Sequence, residues 1–237
     1  MKNRIILRYD SATVSAPLDW TGRVDYIRLR ELHPISFIMN VLIACEFSGR
    51  VREAFKAKGH DAISCDLLDT EIESENHYKG DVRDILNVKW DMLIGFPPCT
   101  YLTKAGSRYW AKNRDKQEEA LEFFKMLLTL DIPHIALENP IGIISTRIRK
   151  PNQIINPYQF GHPEKKMTCL WLKNLPLLKP TKLIPKDERI DFISSDNPDA
   201  NRWKHRSRTF TGIAEAMADQ WDSSKIQKLQ NLQDKSS

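Results

Sequence analysis

Short apolar segments that alternate with helical segments constrain the fold of this 237-residue chain more than any other feature. Five segments have the length and apolar content of buried strands: Ile38–Ala44, His60–Cys65, Asp91–Gly95, Ile132–Leu137 and Met167–Leu172. Three others have helical spacing of apolar residues: Val51–Lys58, Asp115–Leu130 and Ile213–Trp221. The alternation predicts an α/β fold, a doubly wound and mostly parallel sheet with helices on both faces.

Changes in composition divide the chain into regions. Residues 1–38 contain no clear periodic element, and we interpret them as an N-terminal extension of undefined role. The predicted domain covers 39–222. Within it, proline and basic residues become frequent over about 141–210, which predicts a short irregular insert. The polar tail 223–237 is expected to fray.

The charge distribution favours a nucleic-acid partner. The net charge is +5, and between Arg147 and Arg189 ten lysines or arginines stand against three acids. A second basic cluster, Arg202 to Arg208, contains Trp203 and His205. Basic regions that include aromatic residues are typical of proteins that bind nucleic acids. We therefore expect a nucleic acid as the partner.

The four cysteines form no closely spaced pair, which argues against a zinc ribbon and against a disulfide framework. No metal is expected. The sequence has no apolar run long enough to span a bilayer and no secretory signal at its N-terminus. We expect a cytoplasmic protein that acts as a monomer and does not contact membranes.

A cysteine and a glutamate follow two neighbouring predicted strands. Cys99 comes directly after Pro97 and Pro98, which stiffen the backbone and argue against an inert thiol within a packed strand. Nearby positive charge favours the thiolate form, and Lys104 and Arg108 are close in sequence. Glu138 ends the strand Ile132–Leu137, where apolar neighbours raise the pKa of a carboxyl. The pair predicts covalent chemistry with acid assistance.

Polar residues at the ends of the earlier strands indicate a nucleoside cofactor. Ligands bind outside the carboxyl ends of the strands in a doubly wound sheet. Phe47-Ser48-Gly49 lies at the end of the first strand, and Gly49 permits close approach of the backbone to a ligand. Asp66 follows about 20 residues later, the distance at which a carboxylate meets a ribose diol. Asp81 follows at a third strand or loop end.

In this order the residues resemble the motifs of the cytosine-C5 DNA methyltransferase family. The chain is most similar to a small, divergent, phage- or prophage-like member, over about Met39 to Trp221. The motifs that carry the resemblance are Phe47-Ser48-Gly49, the acids Asp66 and Asp81, Gly95-Phe96-Pro97-Pro98-Cys99, Glu138-Asn139 and Thr211-Gly212-Ile213-Ala214.

The resemblance implies a Rossmann-like class I methyltransferase fold that uses S-adenosylmethionine. It implies that Cys99 adds to C6 of a flipped cytosine and that Glu138 and Asn139 bind the target base. The cofactor site it implies contains Phe47, Ser48, Gly49, Asp66, Asp81 and Pro97. The resemblance also implies methylation of double-stranded DNA; restriction protection, phage self-modification and regulation all stay open as the biological role.

The chain departs from the family pattern at several positions. Arg50 and Val51 follow Gly49 in place of a second glycine, and Thr100 replaces the usual glutamine. No Gln-x-Arg-x-Arg motif is evident; Lys166 is a partial substitute, with Arg206 or Arg208 as alternatives. The residues predicted to contact DNA are Lys104, Arg108, Lys165, Lys166, Arg206 and Arg208.

Two other functions stay open. A methyltransferase that acts on the amino group of cytosine N4 or adenine N6 uses a turn with two prolines, as at Pro97-Pro98, but needs no thiol. A methyltransferase-like protein that binds DNA without catalysis would account for the missing glycine and arginine.

Overall fold

The structure is a computed structural model that describes residues 4–9, 12–17, 38–192 and 202–234. The chain divides into two compact units, residues 38–222 and residues 1–37 with 223–237. In the smaller unit, β1 (Arg4–Tyr9) and β2 (Ala12–Pro17) form an antiparallel hairpin.

The larger unit is built on a seven-stranded sheet. The order across the sheet is β5-β4-β3-β6-β7-β10-β8. In chain order, the strands of this unit are β3 (Asn40–Ala44), β4 (Asp61–Asp66), β5 (His77–Lys79), β6 (Met92–Gly95), β7 (His134–Pro140), β8 (Gln153–Ile155), β9 (Glu164–Lys165), β10 (Thr168–Lys173) and β11 (Ile190–Asp191). The two-residue strands β9 and β11 pair with each other outside the sheet.

Strands β3 to β7 of this sheet run parallel, while β10 is antiparallel to both β7 and β8. The chain starts the sheet at β3 in its middle, extends it to one side through β4 and β5, and then crosses to β6 on the other side. The prediction of a doubly wound, mostly parallel Rossmann-like sheet is confirmed. In such sheets the crevice for ligands opens where the strand order reverses, here between β3 and β6.

The described helices are numbered in chain order. Those of the larger unit, which flank its sheet, are α1 (Arg50–Ala57), α2 (Arg114–Leu128), α3 (Ile144–Arg147), α4 (Arg202–Ser207) and α5 (Thr211–Gln220); α6 (Ser223–Asp234) belongs to the smaller unit. Leu121, Phe124 and Leu127 of α2 are buried in the main core, where the Phe124 ring meets Trp171 of β10 edge-on at 5.1 Å. Helix α1 packs against β3, β4 and α5. The described helices include none that is long and apolar enough to cross a bilayer.

The structure differs from the sequence analysis in three elements. Residues 1–38 contain the hairpin β1–β2. The predicted frayed tail contains α6, whose Ile226, Leu229 and Leu232 recur at helical spacing. The strand predicted over Ile132–Leu137 is β7, which extends to Pro140, because its backbone stays paired with β10 as far as Thr168. Glu138 and Asn139 therefore lie inside a strand.

Candidate active site

The ends of β6 and β7 bring the predicted nucleophile and the predicted acid to one edge of the sheet. The parallel register pairs Gly95 with Leu137, so that the chain leaves β6 beside Glu138. Asn139 is buried, and its Nδ2 donates to the Pro97 carbonyl at 2.8 Å. This bond fixes the proline turn that carries Cys99 to the neighbouring strand.

Close backbone contacts hold the loop after Cys99. The amides of Leu102 and Thr103 both donate to the Cys99 carbonyl at 2.9 Å. The Ile143 amide donates to the Leu102 carbonyl at 2.9 Å. A Cβ atom at Gly142 would lie 1.9 Å from the Leu102 carbonyl oxygen, which leaves room only for glycine. The predicted nucleophile therefore sits on a turn that these contacts hold in place.

The charged groups around Cys99 have opposing effects on the pKa of its thiol. Burial raises the pKa of the half-buried Cys99 thiol and the Glu138 carboxylate raises it further, while Lys166 and Arg206 lower it. The cations that act on the thiol thus come from distant parts of the sequence. Lys104 and Arg108, which the sequence analysis considered for this role, have exposed side chains on a 3₁₀ helix over Lys104–Lys112.

Glu138 faces the start of β10. Burial raises the pKa of its carboxyl, and the charge of Lys166 and a hydrogen bond with Thr168 act in the opposite direction. These three residues line a small cavity of about 30 Å³. Phe210, Ile213 and Met217 close its other side. A carboxyl with a raised pKa can hold a proton near neutral pH and donate it to a bound group.

A second, larger cavity lies at the edge of β3 and β4, with a volume of about 750 Å³. Asp66 and Asp81 both line it, as does Pro98. Of the other predicted cofactor residues, Phe47, Ser48, Gly49 and Pro97 are buried beside the strand ends and are not among its lining residues. Residues that line it and that sequence reasoning missed include Cys45, Leu67, Val82, Tyr101, Lys116 and Phe123.

The turn after β3 is held by Glu46, which the sequence analysis did not consider. Glu46 is buried, and its Oε1 accepts hydrogen bonds from Ser48 Oγ at 2.5 Å and from the Val51 amide at 3.3 Å. Its Oε2 is buried and has no hydrogen-bond partner. Gly49 has a φ of 73°, and a Cβ atom there would lie 2.7 Å from the Arg52 guanidinium.

The two acids of the large cavity differ in their surroundings. Asp66 Oδ1 accepts the Leu68 amide at 3.0 Å, and burial raises the pKa of its carboxyl. Asp81 instead accepts hydrogen bonds from the Arg83 side chain on both oxygens, which lowers its pKa. Asp66 therefore has more free hydrogen-bonding capacity than Asp81 toward a ligand.

The residues predicted to contact DNA are spread over three segments, around Lys104, Lys165 and Arg206. Lys165 pairs with Asp191 at 3.2 Å. Arg208 binds both carboxylate oxygens of Glu71, at 2.6 and 2.7 Å, and so has a structural partner. Arg206 is exposed, as are Lys104 and Arg108. Part of the predicted basic insert, 193–201, and the side chain of Trp203 lie outside the described residues.

Among the described residues, no group of three histidine, cysteine or acidic side chains is arranged to hold a metal ion.

No protein-family model and no curated protein sequence matches the chain. The chain is similar to several solved structures. One is described as a candidate DNA modification methyltransferase encoded within an E. coli prophage, with 15% identity over 62% of this chain and a TM-score of 0.40. Another is a mutant of DNMT2 from Spodoptera frugiperda, with 20% identity over 64% of this chain and a TM-score of 0.37. The chain spans about half the length of each, 52% and 56%.

At these levels of identity a likeness concerns the fold alone. The order of the sheet itself, with five parallel strands and a reversed strand beside the fifth, is that of a Rossmann-like class I methyltransferase fold.

Proposed function

We propose that the protein is an S-adenosylmethionine-dependent DNA methyltransferase that acts on C5 of cytosine, with Cys99 as the nucleophile. The observation that carries the proposal is the approach of Cys99 and Glu138 at the ends of β6 and β7, close enough for their charges to interact. A thiol on a rigid turn beside a carboxyl is suited to addition to an electron-poor ring.

The large cavity fits the proposed cofactor. Its volume of about 750 Å³ is in the range of small-molecule sites, and its lining combines apolar side chains with a few polar ones. Asp66 would accept hydrogen bonds from the ribose hydroxyls, and Leu67 and Val82 would contact the adenine ring. S-adenosylmethionine supplies a sulfonium methyl group when it is bound.

The chemistry assigned to the chain begins with the thiol. The Cys99 thiolate adds to C6 of the target cytosine, and the electrons of the C5–C6 double bond move to C5 as the S–C6 bond forms. C5 is then nucleophilic enough to take the methyl group. A base removes the proton from C5, the S–C6 bond breaks and the double bond returns, which frees the thiolate.

Glu138 supplies the proton that this addition needs. Negative charge moves into the ring as sulfur adds to C6, and a protonated carboxyl beside ring nitrogen N3 neutralises it. The raised pKa of Glu138 is consistent with a proton held near neutral pH. Asn139 would fix the turn through the hydrogen bond from its Nδ2 to the Pro97 carbonyl.

Double-stranded DNA is the proposed substrate. The exposed side chains of Lys104, Arg108 and Arg206 would contact the phosphates. Reaching C6 requires the base to rotate out of the duplex, because a stacked base shields its ring atoms from an attacking thiolate.

Nucleoside mass spectrometry of DNA from cells that express the wild type, Cys99→Ala or Cys169→Ala tests the proposal. Cys169 is a matched control because its thiol is buried in the core. We expect 5-methylcytosine with the wild type and with Cys169→Ala, and none with Cys99→Ala. N4-methylcytosine or N6-methyladenine that persists in Cys99→Ala would assign the protein to the amino-group class. DNA binding by folded wild-type protein with no modified base would indicate a protein without methyltransferase activity.

A further inference from the structure

Lys166 lies just before β10, and several contacts hold its side chain in one position. Its Nζ donates to the Arg206 carbonyl at 2.8 Å. The same ammonium lies 5.1 Å from the centre of the Phe192 ring and 5.8 Å from that of Phe210. Aromatic faces attract cations without neutralising them. These contacts fix the ammonium, and none of them cancels its charge.

Neighbouring cations differ from Lys166 in this respect. Lys165 pairs with Asp191, and Arg208 pairs with Glu71. In the part of the chain that the structure describes, no carboxylate oxygen lies within 4.0 Å of the Lys166 ammonium. An uncompensated charge in a partly enclosed position acts more strongly on its surroundings than a paired one.

The charge of Lys166 reaches both members of the proposed catalytic pair. Lys166 lines the small cavity together with Glu138. The charged groups that face Cys99 are Glu138 from β7, Lys166 from the segment before β10, and Arg206 from α4. Of the two cations, Lys166 is the one that also acts on Glu138.

We propose that Lys166 is a positioning residue of the reaction: its ammonium, fixed beside the Glu138 carboxyl in the small cavity, supplies positive charge that favours ionisation of the Cys99 thiol against the effects of burial and of Glu138. Ionisation breaks the S–H bond, sends the proton to water and leaves the electron pair on sulfur. The inference rests on Cys99 as the nucleophile of the proposed function. This role differs from the two that the sequence analysis gave Lys166, DNA contact and partial substitution for the missing Gln-x-Arg-x-Arg motif.

The alkylation rate of Cys99 by iodoacetamide tests the inference without DNA or cofactor. The rate is followed over a range of pH by mass spectrometry of the peptide that contains Cys99, because only the thiolate reacts. In Lys166→Met we expect Cys99 alkylation at pH 8 to be roughly three- to tenfold slower than in the wild type, since an opposite charge nearby is lost. Lys166→Arg keeps the charge and should stay within roughly twofold.

Lys165→Met is the matched control, because it removes an adjacent lysine that pairs with Asp191. Its Cys99 rate should equal that of the wild type. Unfolding would be recognised by faster alkylation of all four cysteines, and Lys166→Gln, which can still donate to the Arg206 carbonyl, then replaces Lys166→Met. An unchanged Cys99 rate in the folded Lys166 variant, or an equal loss in Lys165→Met, overturns the inference.

Methyl transfer provides a second readout. If Lys166 maintains the thiolate, the loss of kcat in Lys166→Met shrinks as the pH rises, because hydroxide then ionises the thiol. A loss that is independent of pH and appears as weaker, salt-dependent DNA binding would instead make Lys166 a phosphate contact and overturn the inference. Absence of methyl transfer in the wild type would refute the proposed function while the alkylation result still decides the role of Lys166.

Discussion

The ends of β3 and β6 are neighbours in the sheet, and each is followed by a cysteine, yet the two thiols have opposite surroundings. Burial raises the pKa of Cys45 to about 12, and Asp66, Cys65 and Asp81 contribute to the rise. Burial also raises the pKa of Cys99, but there Lys166 and Arg206 act against it. Both strand ends carry a thiol, but only at Cys99 does the rest of the fold bring cations that favour the thiolate. Position at a strand end is therefore not enough to favour an ionised thiol; the proposed function depends on the charges around it.

Both regions are rigid, for different reasons. The turn after β3 is held by a buried carboxylate that accepts from Ser48 and Val51, and it borders a cavity of about 750 Å³. The turn after β6 is held by backbone contacts and by the hydrogen bond from the Asn139 amide to the Pro97 carbonyl. The first arrangement suits binding of a cofactor, and the second suits chemistry.

Replacement of Glu138 by glutamine should have the largest effect, because it should change the rate of Cys99 alkylation and the rate of methyl transfer in opposite directions. The change removes a charge that raises the pKa of Cys99, so the thiol ionises at lower pH and its alkylation becomes faster wherever Glu138 is ionised in the wild type. Methyl transfer should nevertheless fall by about 10²–10³-fold, because no proton is available for the ring. The two rates are measured by peptide mass spectrometry and by transfer of a labelled methyl group. A parallel change of both rates would contradict the assignment of Glu138 as the acid.

Gly142→Ala should disturb the Cys99 turn. A methyl group at this position would meet the Leu102 carbonyl at 1.9 Å, so the loop must move. We expect a loss of about 2–3 kcal/mol in the free energy of unfolding, measured by denaturant titration.

Gly59→Ala is the matched control for that change. Gly59 has a φ of 85° and open space where a Cβ would lie, so only backbone strain of about 1 kcal/mol is expected. A loss at Gly142 no larger than that at Gly59 would show that the Cys99 turn tolerates movement.

Asp66→Asn should weaken cofactor binding in the large cavity. The carboxyl lines the large cavity, and loss of its charge should weaken binding of S-adenosylmethionine by roughly tenfold, measured by calorimetry. Since Asp66 also raises the pKa of Cys45, that thiol should titrate at lower pH in the variant. Asp69→Asn, at an exposed carboxyl that pairs with Lys79, should leave both quantities unchanged. Unaltered affinity in Asp66→Asn would exclude this carboxyl from the cofactor site.

Cys45→Ser should have the smallest effect. A thiol with a pKa of about 12 is almost entirely protonated at neutral pH, so its loss should leave kcat for methyl transfer within roughly twofold of the wild type. In the wild type, iodoacetamide at pH 8 should modify Cys99 before Cys45. Preferential labelling of Cys45 would reverse the comparison on which this account rests.

Local patterns were sufficient to place the proposed nucleophile and acid. Apolar runs marked β6 and β7, and the proline pair before Cys99 indicated a turn at the strand end. Short strands gave a weaker signal: β5 has three residues, two of them exposed, and β8 contains the exposed Ile154, so their apolar content did not distinguish them from loops.

The charges of the site could not be predicted from sequence in the same way. Lys104 and Arg108 are near Cys99 along the chain, but the cations that act on it are Lys166 and Arg206, which the fold brings across the sheet. The pair Glu71 and Arg208 is separated by 137 positions. Contacts of this kind depend on loop paths after β4 and β10, for which periodicity carries no information.

The most direct test of the central claim uses DNA that contains 5-fluorocytosine, incubated with the protein and S-adenosylmethionine. Fluorine at C5 cannot leave as a proton does, so the bond between sulfur and C6 persists after methyl transfer. We expect a covalent protein–DNA complex that survives denaturation, with the attachment mapped to Cys99, and none in Cys99→Ala. Absence of the complex with folded protein that binds this DNA, or attachment at another residue, would contradict the account.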